Sequence, residues 1–372
     1  RNLLGSSVFT SSGIMLQATV LGKQVYDITG RELDIGLLGL AEFLPAALLV
    51  LVTGSMADRF NRKIIGSIAI AGELLCSVLL GLYALSDPTA VWPLFVIAVL
   101  FGTFRAFAAP SVRSLPPMVA PDGALPRTIA LYSATWTSAA IIGPASGGLI
   151  YASSPALAYF VSAVLIGAGV AFLLAVKIAR PFLKDQPKDP AEKVSLHTAL
   201  AGLRFIRKTP ILLAAISLDL FAVLFGGAVA LLPAIAEDRL HVGDVAYGWL
   251  RAAPGIGAAI MAVILASRPV TRRVGRTLLF VVGLFGIATV VLGVTTSYFV
   301  AFVALVILAG ADMISVYIRG TLVPLVTPDD KRGRVMAVEN VFIGASNELG
   351  AFESGVAAQA FGTQTAVIGG GI

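Results

Sequence analysis

Eleven stretches of about 20 or more mostly apolar residues follow one another along this chain, joined by short charged connections. They lie near 3–26, 35–56, 63–85, 92–113, 128–152, 156–178, 210–236, 245–267, 276–296, 298–320 and 335–361. The 372 residues are 57% hydrophobic and 13% charged, against about 25% charged in a soluble domain. No water-facing surface can be made from so few charges, so the reading is an all-α membrane protein with lipid as solvent. The segment 365–372 reads as the start of a twelfth span, cut short in this chain. The first span is already under way at residue 3, and no cleavable signal peptide is read there.

Charge placement orients the spans. With the N-terminus cytoplasmic, the inner connections hold 21 of the 27 Lys and Arg, among them Arg59, Arg62, Lys63, Arg113, Arg127, Arg319 and Lys331. The outer ones hold Arg31 and Arg239, with Lys23 near one outer end. This asymmetry follows the positive-inside rule, so both termini are expected in the cytoplasm. The same confinement of basic residues to short loops argues against a nucleic-acid partner, despite the net charge of +6. Cys76 is a single cysteine in an apolar run, and His197 and His241 are far apart, so neither a disulfide nor a metal site is expected.

The longest polar break, 179–209, carries Pro181, Pro187 and Pro190 and reads as a cytoplasmic linker. Within it Leu196, Leu200, Leu203 and Ile206 form one helical stripe flanked by Lys193, Arg204, Arg207 and Lys208, which fits an amphipathic helix on the inner membrane surface. The break separates a six-helix half at 1–178 from a second half at 210–372 that lacks most of its sixth span. A shift of 207 positions places Pro117, Pro121, Asp122, Arg127, Gly143 and Gly148 on Pro324, Pro328, Asp329, Arg334, Gly350 and Gly355. One offset serving all six pairs argues for duplication, and two six-helix repeats imply a substrate site between them near the midplane.

Three motifs carry a family likeness. Gly54-Ser-Met-Ala-Asp58-Arg59-Phe-Asn61-Arg62-Lys63 joins spans 2 and 3, Arg105 stands mid-way along span 4, and Gly143-Pro144-Ala-Ser-Gly147-Gly148 lies in span 5. Together they resemble the signature loop, the mid-helix arginine and the antiporter-associated segment of the major facilitator superfamily. Within it, Ser217–Gly227 and Asn340–Glu348 are similar to the branch containing the enterobactin exporter and macrolide-efflux-like proteins. The resemblance implies the major facilitator fold, alternating access, a proton gradient as energy source and no bound cofactor. It also implies a gating latch of Gly54, Asp58, Arg59, Arg62 and Lys63, and a hinge at Gly143, Pro144, Gly147 and Gly148. From the residues alone the loop cations are equally topology signals, and the glycines equally a close helix-packing surface.

Ionisable groups inside spans cost a few kcal/mol even on mild insertion scales (about 2.5–3.5), so they tend to mark function. Asp219, Glu42, Asp312, Glu73 and Arg105 are the candidates for proton coupling, with Asp219 foremost; Arg251, Glu339 and Glu348 are the other intramembrane charges. For each acid a structural role stands beside the functional one: Glu42 as a helix-to-helix hydrogen bond, Glu73 as a partner for Arg105, Asp312 and Glu339 as hydrated groups near the inner face. Gln17, Arg251, Phe221, Asn340, Asn347 and Glu348 are candidates for the substrate cavity. Span 1 has no carboxylate, and Lys23, Arg105 and Arg251 would suit an anionic or catechol-like molecule, unless Lys23 merely snorkels to the surface.

The sequence is thus read as a secondary transporter, not an enzyme, and the resemblance implies export of a small amphiphilic molecule, such as a siderophore or a drug, in exchange for protons. An uncoupled uniporter or a lipid- or lysolipid-flipping transporter is the alternative. The expected setting is a bacterial inner membrane, with the bilayer and a small-molecule substrate as partners and the chain monomeric.

Overall fold

A computed structural model describes residues 1–121, 123–178 and 196–372, with side-chain surroundings omitted at 50–52, 54–55, 57–59, 196–201, 329–330, 334, 337 and 340. Every regular element among the described residues is helical: α1 (Asn2–Thr29), α2 (Glu32–Arg59), α3 (Arg62–Ala84), α4 (Trp92–Arg113), α5 (Pro116–Val119), α6 (Leu125–Tyr151), α7 (Pro155–Leu174), α8 (Leu196–Lys208), α9 (Pro210–Phe225), α10 (Leu232–Ala234), α11 (Asp244–Ser267), α12 (Val274–Val294), α13 (Tyr298–Val326), α14 (Asp329–Phe361) and α15 (Thr363–Gly371). Eight of the described spans are long and apolar enough to cross a membrane. α2, α6 and α14, with 28, 27 and 33 residues, also have the length.

The chain divides into two compact units. Unit 1 comprises Arg1–Gly30, Ala41–Glu192 and Gly243–Ala252, and unit 2 comprises Arg31–Leu40, Lys193–Val242 and Ala253–Ile372. The first stretch of α2 is therefore counted with the second unit, and the first stretch of α11 with the first.

In unit 1, α1 is central and packs on α6 and α7, while α3 packs on α4 and α7. The cause is an inverted pattern. α1 buries Ser6, Ser7, Ser11, Ser12, Gln17 and Thr19, since polar groups that would be orphaned in hydrocarbon turn toward other helices. α3 shows the complement: Ile64, Ile68, Leu75 and Leu82 form an exposed apolar stripe, and Glu73, Cys76, Ser77 and Leu80 are buried. Asn61 starts α3 by accepting from the backbone N–H groups of Lys63 (3.0 Å) and Ile64 (3.4 Å).

In unit 2, α14 packs on α9, α8 and α15, and α12 packs on α13 and α15. The stretch read as one span over 210–236 is interrupted. α9 stops at Phe225 and gives way to a 3₁₀ turn (Gly227–Val229), then α10 and a π-helical turn at Ile235–Arg239. At the break a Cβ on Gly227 would come within 2.6 Å of Ser354 Oγ on α14, so the backbone runs against that helix where no side chain fits. In α8, Ile206 is buried with Leu212, Ile216, Val323, Val335 and Val338. The described part of its apolar stripe thus packs on protein, leaving Arg204, Arg207 and Lys208 exposed. Residues 179–195 of the linker, with Lys193, fall outside the described residues.

Candidate functional site

A buried charge cluster in unit 2 is built on α9, α13 and α14. Asp219, about 13 Å along α9 from Pro210 at 1.5 Å per residue, is 5% exposed. Its Oδ1 accepts from Arg319 Nη2 at 2.8 Å and from Ser315 Oγ at 3.0 Å, both on α13. Arg319, 3% exposed, also lies 3.7 Å from Glu339 Oε1 on α14, and its Nε has no hydrogen-bond partner. Asp312, two turns before Arg319, is half-buried and lines a cavity of ≈ 10 Å³ with Asp219, Ser315, Ala222, Val223 and Phe285. That is room for about one water molecule. Three acids thus surround one arginine in an otherwise apolar region, joined to it by direct contact or by Coulomb interaction.

Arg319 is not the inner-loop charge that the topology reading made it. α13 continues to Val326, which places residue 319 inside the helix. Its spacing of seven from Asp312, two turns along one helix face, was the signal in the sequence.

Unit 1 holds a second polar cluster that the sequence showed only in part. Lys23 is 7% exposed, so it does not snorkel to the surface. Its ammonium pairs with Asp27 one turn on, and lies 3.6 Å from Asp244 in the first turn of α11. Tyr151 donates to the other Asp27 oxygen at 2.6 Å, Tyr159 to Gln24 at 2.6 Å, and Tyr247 to the Thr19 carbonyl at 3.1 Å. Lys23 thus has two carboxylates beside it, Asp27 and Asp244. Asp27 was legible as the i+4 partner of Lys23; Asp244 and the tyrosines were not, being over 100 positions away.

The other candidates separate. Gln17 is buried and accepts from Ser77, and Ser162 donates to the Gly13 carbonyl at 2.9 Å, so this part of span 1 is a closed polar contact. Glu73 is 1% exposed and its Oε2 has no hydrogen-bond partner. The expected Glu73–Arg105 ion pair does not form; Arg105 is half-buried and acts on Glu73 only by longer-range Coulomb interaction. Glu42 is half-buried on α2 with its carbonyl against Gly102 of α4. Arg251 is half-buried one turn past Tyr247 on α11. Phe221 is 55% exposed and stacks on Phe225. Asn347 is exposed and bonds to the Ile343 carbonyl of its own helix at 2.8 Å. Glu348, half-buried, points its Oε2 toward Gly39. The side chain of Asn340 lies outside the described residues.

Of the latch residues, Gly54, Asp58 and Arg59 end α2, and their surroundings lie outside the described residues; Arg62 is half-buried. Lys63 donates to the Leu174 and Val176 carbonyls at 2.7 and 2.8 Å, capping the end of α7. Arg239 does the same for the end of α12, donating to the Gly293, Val294 and Thr295 carbonyls. Gly143 and Gly147 lie on the α1 backbone at Leu16, Pro144 leaves α6 continuous, and Gly148 lies on α11. Among the described residues no group of three or more His, Cys, Asp or Glu is arranged to hold a metal.

Comparison with known proteins agrees with this architecture. A transporter from Bacillus subtilis described as an uncharacterized MFS-type transporter, YfiS, is 28% identical over 98% of this chain and 88% of its own length. The multidrug efflux pump Tap of Mycolicibacterium fortuitum is 27% identical over 90% of this chain and 82% of its own. Macrolide efflux protein A of Streptococcus pyogenes is 25% identical over 54% of this chain and 49% of its own. Among solved structures the nucleoside transporter NupG superposes with a TM-score of 0.78 at 12% identity, covering 100% of this chain and 95% of its own. A bacterial homologue of the iron transporter ferroportin gives 0.72 at 14% identity, covering 100% and 96%. The Major Facilitator Superfamily model matches residues 3–372, and the chain belongs to that family of membrane transporters.

Proposed function

We propose that this transporter exports a small amphiphilic molecule, with drugs of the macrolide type first among candidates and catecholate siderophores second, in exchange for protons entering the cell. The observation that carries the reading is the buried Asp219–Arg319 pair, with Ser315 and Glu339 around it. Burying two charges costs more than packing apolar residues of like volume, so such a pair adds little as a stabiliser. A carboxylate held by an arginine and a hydroxyl beside a water-sized cavity is suited to take up a proton and give it back. The efflux descriptions of Tap and macrolide efflux protein A support the outward direction. The bacterial inner membrane is the setting that those relatives suggest.

The test is proton movement in liposomes containing the purified chain and an entrapped pH dye. Macrolides and enterobactin are added in turn. The proposal expects a drug-triggered proton flux that disappears in Asp219→Asn. Drug movement without proton flux would replace antiport by uniport, and movement of a fluorescent lysolipid alone would replace it by lipid flipping.

A further inference from the structure

Arg319 has two carboxylate neighbours and an unequal hold on them. It touches Asp219 at 2.8 Å and stands 3.7 Å from Glu339, and its buried Nε is unbonded. The three groups sit on three helices: Asp219 on α9, Arg319 on α13 and Glu339 on α14. A guanidinium carries five donors in a fixed fork and stays charged, so it can move from one carboxylate to another without losing its proton. Asp312 is the further acid that acts on this group, again from α13. α12 contributes Val281, Val282 and Phe285 to the cavity wall and no charge.

We propose that Arg319 is a two-position switch: protonation of Asp219 releases it, and it closes on Glu339, exchanging an α9–α13 tie for an α13–α14 tie. The proposal rests on the proton-coupled reading of the Asp219 cluster and adds the part that moves. The physical basis is a difference in attraction. A neutral Asp219 offers Arg319 only a hydrogen bond, whereas Glu339 offers a charge within a low-dielectric region, where Coulomb interactions are strong. The displacement needed is about 1 Å, the difference between an ion pair at 3.7 Å and a direct hydrogen-bonded contact near 2.8 Å. The free Nε supplies a donor for the new contact. The proton stays on Asp219 throughout, and Arg319 is a positioning residue.

Infrared difference spectroscopy across a pH titration tests this on the purified full chain in lipid nanodiscs, with no substrate. The protonated-carboxyl band absent from Asp219→Asn identifies Asp219, and the guanidinium band absent from Arg319→Lys identifies Arg319. The switch expects both bands to change with one midpoint, the guanidinium change to vanish in Glu339→Gln, and Glu339→Asp to restore it. A guanidinium band indifferent to Asp219 protonation would overturn it, as would an unchanged response in Glu339→Gln. The antiport reading is scored separately, by whether a pH gradient drives drug export in wild-type liposomes. A switch present without gradient-driven export would leave the switch standing and remove the antiport.

Discussion

Gly148 and Gly248 meet backbone to backbone: a Cβ added at Gly248 would stand 2.7 Å from Gly148 Cα and 2.8 Å from the Pro144 carbonyl oxygen. Unit 2 repeats the contact. A Cβ on Gly355 would stand 3.0 Å from Gly36 Cα and 2.8 Å from the Glu32 carbonyl oxygen. Gly148 and Gly355 are the pair that the 207-residue offset aligned, and Gly36 and Gly248 each lie one turn into α2 and α11. The aligned pair Gly143 and Gly350 behaves alike, the former on the α1 backbone and the latter on that of α9. The duplication therefore reaches the level of single helix contacts.

These contacts leave no space for a side chain. Gly248→Leu and Gly36→Leu are each expected to destabilise by about 1–3 kcal/mol or more through overpacking. Gly283→Ala on α12, where nothing lies within 4 Å of an added Cβ, is expected to be neutral or stabilising by up to about 1 kcal/mol, since alanine is the better helix former. Thermal unfolding of the three variants in one detergent checks this, and a Gly248→Leu protein as stable as wild type would contradict the geometry.

The Asp219–Arg319 pair makes a non-additive prediction. Removing one partner of a buried pair costs about 3–5 kcal/mol because the other charge is stranded. Arg319→Met is expected to fall in that range, as Asp219 would keep only Ser315. The double variant Asp219→Asn/Arg319→Met is expected to be more stable than Arg319→Met alone. A double-mutant cycle by chemical unfolding measures the coupling; additive losses would show that the two residues do not share a pair.

The proposed antiport carries a pH signature: Asp219→Asn is expected to flatten the pH profile of drug export, and a profile unchanged in Asp219→Asn would separate Asp219 from the coupling step.

Asn61 stands where the family loop usually has glycine, and the structure shows its use as the N-cap of α3. Asn61→Ala is expected to cost about 1 kcal/mol and Asn61→Gly only a few tenths. Equal losses in thermal unfolding for the two variants would argue against a capping role.

In unit 1, Tyr151→Phe removes the hydroxyl that donates to Asp27. Hydrogen bonds to charged groups are worth about 1.5–3 kcal/mol, so a loss of that order is expected. Tyr83→Phe, whose hydroxyl bonds to the exposed Ala90 carbonyl, is expected to lose less. Thermal unfolding of the pair distinguishes a buried charge network from an ordinary surface bond.

Spans, their order and the internal repeat were legible from the chain because lipid imposes a local requirement: each segment must be about 20 apolar residues long and satisfy its own backbone. Asp219 was marked by the same rule, as a charge within such a segment. What it is paired with was not, because Arg319 lies 100 positions away at the end of an apolar run, where residue type alone suggests a loop. Lys63 and Arg239 illustrate the same limit. Their sequence role as topology charges says nothing of the helix ends, at Leu174 and Gly293, that they cap. The break after Phe225, within what reads as one apolar span, was not legible either. By itself the sequence determined which segments are long and apolar enough to cross a membrane, since that depends on composition over about 20 neighbouring residues. Only the tertiary structure decided which charges meet, since a salt bridge is fixed by an approach of about 3 Å between helices whose facing no single sequence prints.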